Sequence, residues 1–476
     1  MDETIGAIQD TGVQATPKHL VGNEQETQRK PTLINGKIVD AVSSNVDDRT
    51  THELYMWPFP DAVHASVASV ITLPVVETYW GDNLVECVKN GTLSESDLDG
   101  MVCRILTPYF YLGQNKDNPS VDPSSQPLFY NGFGYTYPGP CPVGRDVRGN
   151  HSGLIRDIAA AGTVLLENQG SIIPLNKSLT NIGLFGNDAA DPSIGTLFSN
   201  HDGIDSGTLI SGGGSGSGRP SYVISPLDAF KSYVKDNGKR LQYVTNNTAI
   251  LSIMPGLYPW PDVCIVFLKS FATEGFDRKT LVVDDNSIQV VNTRLSLRII
   301  RGQELGKFHL GRLDRKRQSL WQAPINHCQE RGGLHGKITN ITGSAAEDSS
   351  NWRSDFSQGP FNDYRHFDNK GLEALYEFGY GLSYTTFGLS SNLVVSSANK
   401  ISARASLSKA TLELGSPHLW ETVAKCHAEV SNTCRVAGAT VIQLYASLPK
   451  NNIPANSPVR ILLGFKKVSF AQGVGI

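Results

Sequence analysis

The sequence predicts a multidomain chain in which an α/β layer domain is followed by an all-β unit. Two short stretches, 182–185 and 263–268, are apolar without alternation, which is typical of strands covered on both faces. Helical spacing precedes them, with apolar residues at Leu154, Ile158, Ala161 and Leu165. Alternating patterns at 424–430 and 442–448 then predict the strands of a small β-sandwich.

Changes in composition divide the 476 residues, which are enough for two or three domains, into five parts. A first domain over 1–115 is followed by a linker over 116–150 that is rich in Asn, Pro, Gly and Ser. The α/β domain covers 151–345, a connecting segment covers 346–388, and the all-β domain covers 389–476.

The first domain has two recognisable elements. The apolar residues at 13–20 predict a strand. A helix is predicted over 94–107, because Ser94 and Asp97 approximate a capping box at its start and Pro108 is expected to end it.

Bulk properties exclude several classes of function. The formal net charge of −3 gives no reason to expect nucleic acid or an anionic membrane as a partner. No apolar run approaches the roughly 20 residues of a membrane span. The seven cysteines contain no CxxC pair, which argues against a zinc site or a dithiol redox site.

Glycosylation sequons are frequent and suit a secreted glycoprotein. The five acceptor asparagines are Asn90, Asn150, Asn176, Asn246 and Asn340. The start of the chain points the other way, because Met1-Asp2-Glu3-Thr4 has neither a basic region nor an apolar signal core.

The segment 294–337 is atypical, because basic residues accumulate while the apolar periodicity weakens. A nucleic-acid patch is one interpretation, although no interleaved aromatic residues accompany it. The others are a solvated insertion and a stretch produced by a shifted reading frame or a mispredicted splice.

A polar cluster near the N-terminus carries chemistry suited to a polyhydroxylated ligand. Lys18 offers three donors and the imidazole of His19 offers a donor and an acceptor, followed closely by Asn23-Glu24-Gln25-Glu26. In isolation, these are ordinary residues at a strand end.

A second candidate site follows the strand predicted at 263–268, where loops of α/β domains commonly meet ligands. Glu274 lies in this loop, and partial burial against Phe271 or Phe276 would raise its pKa, as a general acid requires; the alternative is a solvated loop glutamate. Asp277 and Arg278 are expected to brace this loop by pairing with each other.

Two further blocks are expected to be structural. The charged residues of 47–53 predict an ion-pair network, and the long block over 355–387 predicts a joining segment. The glycine run 212–218 lacks the order of a phosphate-binding loop and is typical of a linker.

Taken together and in order, these blocks resemble glycoside hydrolase family 3 β-glucosidases. The motifs are KH…NEQE at 18–26, NVDDRT at 45–50, the EGFDR run at 274–278, and DYRHFD…YEFGYGLSYTTF at 363–387. The resemblance implies an incomplete (β/α)8-barrel fragment at the N-terminus, an α/β sandwich domain and a fibronectin III-like β-sandwich. It also implies that Lys18, His19 and Ser215 contact the sugar and that Glu274 is the acid/base.

The implied activity is cofactor-free, retaining hydrolysis of terminal β-D-glucosyl residues from cellobiose or short β-glucosides, as in cellulose degradation. Retaining glycosidases need a second carboxylate as nucleophile. The family supplies it as the Asp of an SDW segment, which is absent at the junction of Val70 and Ile71. A catalytically inactive fragment, or a non-enzymatic carbohydrate-binding module, is therefore the alternative.

Overall fold

The structure is a computed structural model that describes most of the chain. It covers residues 2–22, 26–34, 36–70, 81–116, 146, 148–193, 195, 207–210, 220–253, 257–275, 277–278, 284–292, 353–397, 422–449, 451 and 453–471. The basic segment 294–337, the glycine run 212–218 and nearly all of the predicted linker lie outside these ranges.

The N-terminal unit is built of helices with short strands between them. Its elements are α1 Asp2–Gln9, β1 Thr32–Ile34, β2 Lys37–Val39, β3 Ser43–Asn45, α2 Asp48–Thr50, a π-helical turn Thr51–Tyr55, α3 Pro58–His64, α4 Asp82–Lys89 and α5 Glu95–Tyr111. Strands β1 and β2 form an antiparallel hairpin, whereas β3 pairs in parallel with a strand of the connecting segment.

The strand predicted over 13–20 is wrong, because only an isolated bridge at Lys18 is found there. Pro17 lies in the middle of this stretch and has no N–H to donate to a strand ladder. Ala15 instead packs with Ile5 and Ala62 in a small core between helices α1 and α3.

Helix α5 begins as predicted and ends later than predicted. The hydroxyl of Ser94 accepts a hydrogen bond from the backbone N–H of Asp97 at 3.1 Å, which caps the first turn. Pro108 lies inside the helix, which continues to Tyr111. Proline removes a single backbone donor, and Leu112 still donates to the Pro108 carbonyl at 3.0 Å, so the helix passes this position before ending.

The α/β unit holds a three-stranded parallel sheet. Its elements are α6 Ser152–Gly162, a 3₁₀ turn Gln169–Ser171, β4 Asn181–Phe185, α7 Pro226–Asp236, β5 Arg240–Val244, α8 Asn247–Ile253, β6 Val263–Val266 and α9 Ser287–Asn292. The spatial order is β5-β4-β6, with β4 in the centre. The strands predicted at 182–185 and 263–268 are both present, the second slightly shorter than predicted.

Helices cover both faces of this sheet. On one face, Ile182 packs with Val234 of α7, and on the other, Phe185 packs with Ile250 of α8 and Val290 of α9. Burial of consecutive residues along β4 explains why the sequence of this strand is apolar without alternation.

The ends of β4 and β6 approach each other very closely. Gly186 follows β4 with a φ of +106°, and a Cβ built there would overlap the carbonyl oxygen of Phe267. Only glycine fits this position, so the turn after β4 can lie against the loop that follows β6.

The connecting segment and the C-terminal unit complete the chain. They contain β7 Arg353–Asp355, α10 Tyr364–Lys370, β8 Phe387–Leu389, β9 Val394–Ser397, β10 Ala424–His427, β11 Val430–Asn432, β12 Gly438–Ala446 and β13 Ile461–Phe470. Among the described residues, the C-terminal strands form three antiparallel pairs, β8–β11, β9–β10 and β12–β13. None of the described helices is long and apolar enough to span a membrane.

Candidate active site

The loop that carries Glu274 lies at the carboxyl end of the parallel sheet. It follows β6, which lies beside β4 while β5 lies on the opposite side of β4. In sheets of this order, the connections of the two adjacent strands leave in opposite directions and open a crevice at their carboxyl ends. Glu274 is therefore in the part of the α/β unit where ligands are usually bound.

The two polar motifs, separated by about 250 residues in sequence, meet at this loop. The carboxylate of Asp277 accepts hydrogen bonds from the backbone N–H groups of Glu26 at 2.9 Å and Thr27 at 2.7 Å. It also accepts one from the Thr27 hydroxyl. In return, the Gly275 N–H donates to the Glu26 carboxylate at 2.9 Å.

Arg29 bridges the two motifs through its side chain. Its Nη1 lies 2.9 Å from a carboxylate oxygen of Glu26 and 3.2 Å from one of Glu274. The side chain of Arg29 is 15% exposed, that of Glu26 20% and that of Glu274 38%. The burial predicted for Glu274 is therefore not found: its side chain is exposed, and its carboxylate pairs with the Arg29 guanidinium.

The distance between the carboxylates of Glu26 and Glu274 can be compared with the distance between the two catalytic carboxylates of a glycosidase. Because both bond the same nitrogen of Arg29, the two oxygens lie no more than 6.1 Å apart, the sum of the two distances. Catalytic pairs are separated by about 5 to 10 Å, with the sugar between them. Here the Arg29 guanidinium bonds both carboxylates, so Glu26 is not placed as a nucleophile that faces Glu274 across a sugar.

Asp277 and Arg278 brace the loop, but through other partners than the sequence predicted. Burial opposes ionisation of Asp277, yet the bonds from Thr27 and Glu26 outweigh it and hold the pKa of this carboxyl below its usual value. Arg278 forms a two-pronged pair with Asp284 at 2.9 and 3.0 Å. The pKa of Asp284 is also lowered, because hydrogen bonds from Arg278 and a backbone amide outweigh burial.

Lys18 and His19 lie before this contact in the chain. Lys18 is exposed, and His19 is half-buried with its Nδ1 shielded from solvent. In the part of the chain that the structure describes, this Nδ1 has no hydrogen-bond partner. No hydrogen bond or ion pair there joins either side chain to Glu274, so the contact between the two motifs is made by residues 26–29.

The segment that precedes the glycine run is anchored to the same edge of the sheet. The N–H of Leu209 donates to Asp188 at 2.7 Å, and the buried ammonium of Lys269 donates to the Gly207 carbonyl. Burial raises the pKa of Asp188, although the bond from Leu209 and the charge of Lys269 oppose this. Ser215, the predicted sugar contact, lies outside the described residues.

The remaining motifs have structural roles. Asp47 caps a helix by accepting from the Thr50 N–H at 3.0 Å, and Arg49 pairs with Glu53 at 2.8 Å. Arg49 also donates to Ser457 of the C-terminal unit at 2.7 Å, so the predicted network joins two parts of the chain.

The connecting segment contacts the units on both sides of it. Its Tyr376 hydroxyl donates to Glu167 of the α/β unit at 2.9 Å. Its Asp368 pairs with Arg460 of the C-terminal unit at 2.7 Å.

Four of the five predicted glycosylation asparagines lie in the described part of the chain, and all four are exposed: Asn90, Asn150, Asn176 and Asn246. Asn340 lies outside it. Their modification remains a prediction.

Sequence reasoning missed Thr27 and Arg29, which make much of the contact with the Glu274 loop. One signal was available, because Arg29 follows Glu26 by three residues, a spacing at which opposite charges often pair. Nothing local indicated that the same guanidinium would reach Glu274.

Comparisons with known proteins relate the whole chain to one family. Residues 163–297 match the profile of the glycosyl hydrolase family 3 C-terminal domain. The chain is 36% identical to a protein of Aspergillus terreus named probable beta-glucosidase G, over 99% of the chain and 70% of that relative. It is 32% identical to probable beta-glucosidase M of Aspergillus fumigatus, over 99% of the chain and 69% of that relative.

Solved structures agree with these relatives. A β-glucosidase from Chaetomella raphigera superposes with a TM-score of 0.75 at 30% identity, over 100% of this chain and 74% of that one. The alignment to the Aspergillus terreus relative spans 585 positions, against 476 residues here. At least 109 of its positions, the difference between the two lengths, therefore have no counterpart in this chain.

Proposed function

Because the chain belongs to glycosyl hydrolase family 3, and is thus a hydrolase of the glycosidase class, we propose that it acts on terminal non-reducing β-D-glucosyl residues. The substrates are cellobiose and other short β-glucosides, cleaved with retention of configuration. The relatives named as β-glucosidases support this choice of sugar. Secretion as a glycoprotein is part of the same proposal.

The residue roles follow from the matched motifs. Lys18, His19 and Ser215 bind the hydroxyls of the glucosyl residue, and Glu274 protonates the leaving oxygen as its bond to the anomeric carbon breaks. Retention requires that a carboxylate nucleophile, for which the matched motifs assign no residue of this chain, takes up the glucosyl group. Glu274 then takes the proton from the water that displaces this carboxylate. The proposal needs no cofactor or metal. Its partners are oligosaccharides or β-glucosides, and neither nucleic acid nor a membrane is among them.

One observation carries the proposal: the motif that would bind the sugar and the loop with the acid/base meet. Asp277 holds the backbone of Glu26 and Thr27, and Arg29 contacts Glu274 itself. A chain in which these motifs lay far apart would offer no common site.

The test is hydrolysis of phenyl β-D-glucoside, whose phenolate leaving group needs protonation. We expect the Glu274→Gln variant to lower kcat about 100-fold or more, the usual contribution of a general acid. Glu86→Gln is the matched control, because Glu86 also carries an ion pair, with Lys89 at 2.9 Å on the exposed surface of α4. An equal loss in both variants, or no loss in either, contradicts the assignment.

No residue of this chain takes the role of the family's nucleophile by resemblance. The face of the sugar opposite the leaving group is therefore expected to be open to a small anion. Azide should then accelerate release of phenol by attacking the anomeric carbon, giving α-glucosyl azide. Release of phenol that azide does not change indicates that a carboxylate of the chain fills the role.

A second candidate is binding of β-glucosides without hydrolysis. The ion pair between Arg29 and Glu274 favours it, because a general acid must carry a proton. Saturable binding of glucose, with no phenol released in the presence or absence of azide, would identify this function.

A further inference from the structure

The contact between the N-terminal unit and the Glu274 loop is reciprocal. The Asp277 carboxylate accepts from the backbone N–H groups of Glu26 and Thr27, and the Glu26 carboxylate accepts from the backbone N–H of Gly275. Arg29 then joins the two glutamates. We call the six residues that make this contact the latch: Glu26, Thr27, Arg29, Glu274, Gly275 and Asp277.

We propose that Asp277 and Arg29 are positioning residues, which hold the acid/base loop against the segment that binds the sugar. Asp277 sets the place of the loop, and Arg29 sets the place and the charge of the Glu274 carboxylate. The inference rests on the proposed function for its catalytic consequence, whereas the mechanical role of the latch is independent of it.

The bonding of Asp277 supports a mechanical role. A carboxylate that accepts three hydrogen bonds, two of them from backbone N–H groups, fixes main chain rather than side chain. Gly275 has a φ of +94°, a conformation that favours glycine and turns its N–H toward Glu26. The two segments are thus fixed at the backbone on both sides of the latch.

The chain contains a second carboxylate of the same kind, which serves as a control. Asp262 accepts from the N–H groups of Thr180 at 2.8 Å and Asn181 at 2.9 Å, and also from the Thr180 hydroxyl at 3.1 Å. These bonds lie at the amino end of the parallel sheet, away from the latch.

Arg29 has a role that an ordinary surface ion pair lacks. Arg29 and Glu26 across the latch, and Asp277 and Arg278 on its own loop, are charged groups of the described residues near Glu274. Glu26 and Asp277 are carboxylates like Glu274, whereas Arg29 is a cation that contacts Glu274 directly. Removing it takes a positive charge away from the Glu274 carboxylate, and this favours the protonated form of Glu274.

Amide hydrogen exchange tests the mechanical role without any need for turnover. In Asp277→Asn, we expect the N–H groups of Glu26 and Thr27 to exchange about tenfold faster or more, because they lose a charged acceptor. In Asp262→Asn, acceleration should be confined to Thr180 and Asn181. Unchanged exchange at Glu26 and Thr27, with the control responding, overturns the proposal.

A milder variant covers the case in which Asp277→Asn does not fold. Thr27→Val removes one donor to the same carboxylate and leaves both N–H groups in place. We expect a smaller acceleration at Glu26 and Thr27, and exchange equal to that of the unaltered chain contradicts the latch.

Titration of Glu274, followed by carbon-13 NMR, tests the role of Arg29. The midpoint should move to higher pH in Arg29→Gln and return toward the original value in Arg29→Lys, which restores the charge. Arg49→Gln is the matched control, because Arg49 pairs with Glu53 at 2.8 Å away from the loop. An unmoved midpoint in Arg29→Gln overturns this role.

Failure of the latch and failure of the proposed function give different results. A chain with the expected exchange and titration but no cleavage of phenyl β-D-glucoside retains the latch and loses the proposed hydrolysis. A chain that cleaves the substrate with unchanged exchange and titration in the variants loses the latch alone.

Discussion

The parallel sheet with helices α7, α8 and α9 differs from the N-terminal unit in how it buries apolar side chains. In the α/β unit, Phe185, Leu184 and Ile250 are all fully buried, and helices cover both faces of the sheet. In the N-terminal unit, helix α5 leaves Ile105 65% exposed and Phe110 57% exposed. Among the described residues of that unit, Ile5, Ala15 and Ala62 form a small buried cluster with their neighbours.

This difference indicates which contacts fix each of the two parts of the candidate site in place. Glu274 follows a strand whose position is fixed by a core on both faces of the sheet. Lys18 and His19 lie in a unit with few buried apolar contacts, and the polar latch ties this unit to the Glu274 loop. The part of the site that would bind the sugar therefore depends on hydrogen bonds more than on packing.

The largest expected effect on stability comes from changing one isoleucine to alanine in each unit. Ile250→Ala removes a fully buried side chain and should lower the free energy of unfolding of the α/β unit by about 2–5 kcal/mol. Ile105→Ala removes a mostly exposed one and should change stability by no more than about 0.5 kcal/mol. Urea unfolding followed by circular dichroism measures both; equal losses would show that α5 is packed as tightly as the sheet.

A smaller effect is expected from removing matched helix caps. Ser225 caps α7 and Ser94 caps α5, each accepting from the N–H of the Asp three residues later. Ser225→Ala should lower stability by about 1 kcal/mol, because α7 folds with the core.

Ser94→Ala should leave the unfolding transition of the α/β unit unchanged, since α5 lies outside that core. Urea unfolding of both variants checks this pair. A shift of the α/β transition by Ser94→Ala would contradict the separation between the two units.

The parts of the fold that could be predicted from sequence are those with a local physical signature. Burial on both faces produces an unbroken apolar run, so β4 and β6 were recognisable. The Ser94 cap was also recognisable, because its partner, the backbone N–H of Asp97, is three residues away. The strand predicted over 13–20 failed because Pro17 outweighs the apolar residues around it.

The site could be predicted only in part, because its contacts are distant in sequence. The residue types of Lys18, His19 and Glu274 suggested their chemistry, and the family motifs linked them. The bonds from Asp277 to Glu26 and from Arg29 to Glu274 cross about 250 residues and leave no local pattern. Asp277 and Arg278 were expected to pair because they are adjacent, yet each has a closer partner elsewhere.

Titration of the chain with glucose, with carbon-13 labels on histidine and glutamate, tests most directly whether the two motifs form one site. We predict that the resonances of His19 and Glu274, assigned by His19→Gln and Glu274→Gln, shift together with a single Kd. Movement of one resonance without the other, or two different Kd values, would contradict the claim that a latched, shared sugar site exists in this chain.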